Sequence, residues 1–113
     1  VETALAEDAF YRVLFFVASP GTPLPRNPQE RMAFRVPVRT ALAIDLTAPP
    51  LVRDRPLWTH PTDYVPCQDL ADAARSGGLQ AIRYESVRDP HRRANFALLA
   101  PSVLAASVSV GYP

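Results

Sequence analysis

Two side chains in this sequence, Glu7 and Ser86, have types and settings that suit chemistry. The stretch VETALAEDAFYRVLFFVAS holds no Gly or Pro before Pro20, which predicts a helix with Thr3 as its N-cap. Advancing about 100° per residue from Leu5 gathers Leu5, Phe16, Ala9, Val13, Ala6, Val17, Phe10 and Leu14 into an apolar arc of roughly 180°. Asp8 and Arg12 fall opposite, spaced for a weak i,i+4 pair in water. Glu7 lands about 20° beyond Leu14, on the boundary of the buried face. A carboxylate placed there is either satisfied by a partner or reserved for a task. Ser86 closes a strand-like run, 79–86, in which Ile82, Tyr84 and Ser86 point to one face while Arg83 and Glu85 point to the other. Its hydroxyl is either a strand-ending turn former or a polar group at the mouth of a site.

Other chemistries lack their residues. His60 and His91 lie 31 positions apart and Cys67 stands alone, so no metal ligand set is visible. There is no nucleophile elbow for a Ser-His-Asp hydrolase, no P-loop and no Gly-rich dinucleotide fingerprint. His60, between Trp58 and Pro61, reads as a loop-packing histidine, and Cys67 as a small core residue on a helix stripe.

The elements that must hold Glu7 and Ser86 follow from pattern. Residues 20–30 contain four prolines and form an irregular excursion. Met32, Phe34, Val36 and Val38 alternate with Ala33, Arg35 and Pro37, predicting a half-buried edge strand; Leu42, Ile44 and Leu46 predict a second. A Pro-rich connection follows, with Trp58 as its apolar anchor. Pro66 opens a helix whose Cys67, Leu70, Ala71 and Ala74 make an inner stripe, stopped by Gly77 and Gly78. Strands over 79–86 and 94–100 then flank a charged, Arg-heavy loop, and SVLAASVSV, 102–110, adds a short strand. Helix, two strands, helix and further strands, without a sustained βαβ rhythm, predict an α+β domain with a mainly antiparallel sheet.

Bulk properties set outer limits. The 113 residues suit one domain with one core. All of the 12 cationic side chains are Arg, yet the net charge is only +1, which argues against direct nucleic-acid or membrane-surface binding. A lone cysteine fits a reducing, cytoplasmic setting, and no apolar run reaches the roughly 18 residues of a membrane span. The sequence starts at Val1 and enters a helix at once, so it is expected to be a piece of a longer protein.

Read together and in order, ETALAE with its aromatic-rich helix, LADAARSGGLQAIRYESVRDP and NFALL before a Pro resemble the RES domain. Such domains are named for Arg, Glu and Ser residues and form the toxin half of bacterial toxin–antitoxin pairs. The resemblance covers Val1 to about Pro101 and treats 1–113 as a single RES domain lacking its N-terminal segment. Matched by position, the family's Glu is Glu7 and its Ser is Ser86; its Arg and an associated Tyr lie upstream of this helix. The PHRRAN segment departs from relatives, which often carry glycines there.

The resemblance implies an ADP-ribosyltransferase-like fold, with a mixed, mainly antiparallel sheet and flanking helices, and an NAD-degrading enzyme that cleaves the nicotinamide–ribose bond. Phosphorolysis, hydrolysis and ADP-ribosyl transfer stay open. NAD enters as substrate, with phosphate as one acceptor; no cofactor or metal is implied. Glu7 would stabilise the sugar cation that develops as nicotinamide leaves, hydrogen-bond a ribose hydroxyl or orient the acceptor. Ser86 would donate a hydrogen bond that positions nicotinamide, ribose or phosphate, and Tyr84 would pack against the ligand. The pyrophosphate's Arg would come from upstream, with Arg88 as a local substitute. The implied partner is an Xre-like helix-turn-helix antitoxin, and homo-oligomer formation is left open. The alternative is a non-catalytic RES-like interaction module, inactive because the N-terminal Arg and Tyr are absent.

Overall fold

The hairpin around the charged 86–93 segment is the centre of the architecture. The computed structural model describes residues 1–104 and the backbone of residues 109–111. The elements are α1 (Glu2–Ala18), β1 (Ala33–Arg35), β2 (Ala43–Asp45), α2 (Arg55–Trp58), α3 (Val65–Ser76), β3 (Ala81–Glu85), β4 (Ala94–Leu98) and β5 (Ser109–Gly111). One sheet has the order β2-β3-β4; β1 and β5 form a separate two-stranded ribbon. Strands β3 and β4 pair antiparallel, with Tyr84 opposite Asn95 and Glu85 opposite Ala94. Strands β2 and β3 pair in parallel, with Ile44 beside Ile82. The β1–β5 pairing is antiparallel, so the fold is α+β with a mixed, mainly antiparallel strand arrangement. The tail expected as a strand over 102–110 begins instead with a 3-10 turn at Pro101–Val103, and strand is formed at its end, as β5; residues 105–108 lie outside the described residues.

The parallel β2–β3 pair requires a crossover, and α3 supplies it. Three residues of its inner stripe behave as the spacing predicts: Ala74 is buried, while Leu70 and Ala71 pack on the core beside Leu46 and Ile82. Cys67, expected with them, is half-buried and lies outside that cluster. The helix stops where Gly77 donates its N–H to the Ala73 carbonyl and Gly78 takes φ +80°, a left-handed turn that suits glycine. Trp58 anchors the preceding connection by packing on the same core and donating Nε1–H to the Leu51 carbonyl at 2.8 Å. That connection is more regular than its prolines suggest, forming a 3-10 turn at Leu51–Asp54 that runs into α2.

Helix α1 departs from its expected packing. None of its residues is fully buried, and Val13 and Val17 are 64% and 73% exposed. The apolar arc does not become a buried face. Instead the helix docks by one edge, on which Thr3, Glu7 and Phe10 are half-buried. The reason is that polar anchors set its rotation. Thr3 is not an N-cap, since the helix begins after Val1; its hydroxyl donates to Asp89 at 2.8 Å. Asp8 accepts from Arg31 at 3.1 Å instead of pairing with Arg12, whose guanidinium sits over Phe16. Strand β1 is likewise shorter and more open than its alternation predicts, with Phe34 63% exposed.

Candidate active site

Strand β3 divides its side chains as alternation requires. Its outward residues enter ion pairs: Arg83 reaches Asp45 at 3.2 Å, and Arg55 holds Glu85 through two hydrogen bonds of 3.1 and 2.9 Å. The Thr47 hydroxyl and N–H, with Arg83, outweigh desolvation and hold the Asp45 carboxyl below its ordinary value. This face has its charges matched, which leaves the opposite one for chemistry.

On that opposite face a cavity of about 260 Å³ opens between α1, α3 and the sheet. Its depth is apolar and aromatic, with Leu46, Trp58, Leu70, Ile82 and Tyr84 among its walls. Its polar side chains include Glu7, His60 and Arg88. A mostly apolar hollow with a few convergent polar groups is the usual form of a small-molecule site.

Glu7 reaches this cavity from α1 and is held by two donors. The Ser86 hydroxyl donates to its Oε1 at 2.6 Å, and the Asn95 amide donates to the same oxygen at 2.9 Å. Oε2 has no hydrogen-bond partner and Glu7 no ion pair among the described residues. The carboxylate is thus fixed through one oxygen, with the other available to a guest.

Ser86 is brought to Glu7, but not to the cavity wall. It is 1% exposed, and its single O–H is spent on Glu7. Its lone pairs accept from the backbone N–H of Arg88 and Asp89 at 3.3 and 3.1 Å. In this arrangement the hydroxyl proton is directed at Glu7 and not into the cavity. Tyr84 does line the cavity. Burial, and then the nearby Glu7 carboxylate, push its phenol pKa up, against a lowering from Asn95, so it stays protonated and able to donate.

The 86–93 loop, a charged, Arg-heavy connection in the sequence, is a fastening. Asp89 is 4% exposed and accepts from Thr3 of α1, the His91 N–H and Arg93. Burial alone would raise its pKa; those donors overcome it and hold the carboxyl below its ordinary range. Arg93 also reaches Glu2 at 3.4 Å. The loop therefore ties the start of α1 to the hairpin and sets where Glu7 arrives. Asn95 and Asp89 went unnoticed in the sequence. Asn95 had a usable signal, because the residue directly opposite Tyr84 in an antiparallel pair shares its face. Asp89 had none, since only the tertiary contact with Thr3 reveals it.

The remaining candidates take modest roles. His60 organises its loop by accepting the Thr62 and Asp63 N–H groups on Nδ1, at 3.2 and 2.8 Å, while also lining the cavity. Burial, followed by the Asp63 carboxylate, pushes the Cys67 thiol up, away from a reactive thiolate. No group of three or more metal-ligating side chains occurs among the described residues, and no described helix is long and apolar enough to cross a membrane.

Comparison with known proteins gives one family. The model for the RES domain matches residues 1–112, nearly the whole chain. No curated protein matches the sequence.

Proposed function

The chain belongs to the RES domain family, and from that premise we propose that it degrades NAD by cleaving the bond between nicotinamide and ribose. Membership associates the chain with NAD-using, toxin-like proteins that are typically paired with an antitoxin. The observation that carries the reading is the Glu7 carboxylate, held through Oε1 by Ser86 and Asn95 on the wall of a largely apolar cavity.

Departure of nicotinamide leaves positive charge on the ribose ring, as in glycoside cleavage. A fixed carboxylate beside that carbon stabilises the charge as it develops, and does so best in a site that excludes water. Glu7 takes this role through Oε2 or through a ribose hydroxyl. Ser86 and Asn95 prevent the carboxylate from turning away, so little reorganisation remains at the moment of reaction. Tyr84 and Trp58 supply flat apolar walls for nicotinamide or ribose. Water, inorganic phosphate or a protein side chain then takes the ADP-ribosyl group. An Xre-like helix-turn-helix antitoxin is the partner this reading implies.

Incubating the full-length protein with NAD, with and without phosphate, and following free nicotinamide tests the proposal. Nicotinamide accumulates if it is right, and phosphate dependence identifies the acceptor. Folded protein that releases none over hours contradicts it.

A further inference from the structure

Most arginines near the hairpin are already matched to carboxylates: Arg55 to Glu85, Arg83 to Asp45 and Arg93 to Asp89. Arg88 is different. It lines the cavity that holds Glu7, and no carboxylate lies within ion-pair distance of it among the described residues. Its guanidinium is nevertheless immobilised. It stacks 3.7 Å from the centre of the Phe10 ring, and Nη2 donates to the Pro61 carbonyl at 2.8 Å and the Tyr64 hydroxyl at 3.1 Å. Nε and Nη1 make no hydrogen bond among the described residues. An arginine has five N–H donors in a rigid fork, so most of its capacity is left.

His60 adds a second donor to the same cavity. Its Nδ1 accepts two backbone N–H groups and so carries no proton. The neutral ring must then bear its proton on Nε2, as a donor. The carbonyl of the next residue, Pro61, is one of the groups that hold Arg88, so the two donors belong to one framework.

We propose that Arg88 and His60 form an oxyanion subsite at the cavity wall, which takes a phosphoryl group of the ligand whose sugar Glu7 addresses. This deepens, and rests on, the reading of the site as one for NAD. The cavity then offers a carboxylate to the part of the ligand that becomes positive and a cation to the part that is negative. Arg88 and Glu7 form no ion pair among the described residues, so neither is neutralised by direct pairing with the other. The phosphoryl group has two sources: the pyrophosphate of the dinucleotide, or inorganic phosphate arriving as acceptor.

Titration calorimetry on the full-length protein, with NAD, ADP-ribose, inorganic pyrophosphate and nicotinamide as separate probes, tests the subsite. Arg88→Gln should weaken ADP-ribose and pyrophosphate at least about tenfold, the scale of a lost charge-assisted hydrogen bond, while nicotinamide, which carries no phosphate, changes less than about twofold. Arg88→Lys, which keeps the positive charge beside Phe10 but not the planar fork, should recover part of the loss and shows that the Gln effect is not general unfolding. His60→Ala should weaken the same probes by a smaller factor. If the guest is acceptor phosphate, ADP-ribose binding survives Arg88→Gln, but the phosphate concentration that half-saturates nicotinamide release rises about tenfold. Wild-type protein that binds NAD with every phosphate response unchanged in Arg88→Gln overturns the subsite alone. Arg88-dependent pyrophosphate binding without any NAD binding retains the subsite and removes the NAD reading.

Discussion

At the scale of single residues, the site is a carboxylate and the groups that hold it still. Ser86 has three hydrogen bonds on one oxygen, and two of them satisfy backbone N–H groups of the loop. Ser86→Ala should therefore cost about 1–3 kcal/mol of stability, as expected when buried donors lose their acceptor. It should also lower kcat on the order of a hundredfold, the scale of a small misplacement of a reacting group. NAD affinity should change little, because Ser86 does not line the cavity; denaturant titration and steady-state kinetics separate these effects. A matching fall in affinity would show that the hydroxyl touches the ligand after all. Periodicity identifies Glu7 as a boundary residue of its helix and Ser86 as the end of the strand face that carries Ile82 and Tyr84, and in the fold they meet. The same periodicity could not reveal that the Ser86 hydroxyl donates to Glu7. Face and position are encoded in a strand, whereas the direction of a hydroxyl proton depends on which acceptor arrives from elsewhere.

At the scale of elements, the hairpin and α3 were legible because their patterns coincide with their packing. Helix α1 was legible as a helix but not in its rotation. Thr3, Asp8 and Glu7 bind Asp89, Arg31 and the hairpin across long sequence separations, and these contacts outweigh the apolar arc. Asp89 gives this fastening a pH dependence. Its folded pKa lies below the ordinary 3.8, so its contribution is complete above that value and is lost as pH falls through the folded one. Thermal melting followed down through about pH 4 should show a loss of stability, and Asp89→Asn should lower the melting point at neutral pH and remove that part of the slope. An unchanged slope would mean the carboxylate does not carry the tie. The turn after α3 supplies a cleaner backbone test. Gly78 has φ +80° and open space where a Cβ would sit, so Gly78→Ala should cost about 1–2 kcal/mol through strain alone. Gly77→Ala, at negative φ with only ordinary contacts, should cost less.

At the scale of the whole molecule, a small core of Leu46, Ala74 and Ile82 supports a cavity that belongs to no single element. Glu7 comes from α1, Tyr84 from β3, Leu70 from α3, and Arg88 from the loop beyond β3. No stretch of sequence contains that site. A ligand that bridges these parts should stabilise the protein as a unit. With NAD about a hundredfold above its Kd, the gain should be about 2.7 kcal/mol, read as a rise in melting temperature. Nicotinamide alone, reaching fewer of the parts, should give a smaller rise at equal concentration.

The decisive quantity is the turnover number of Glu7→Gln. This change nearly preserves volume, and its Oε1 can still accept from Ser86 and Asn95, so melting temperature and NAD affinity should stay close to those of the parent. If the carboxylate steadies the sugar cation, kcat for nicotinamide release should fall by a factor of about a thousand, as when a preorganised electrostatic group is removed. Undiminished release from the folded variant would contradict the assignment of that role to Glu7.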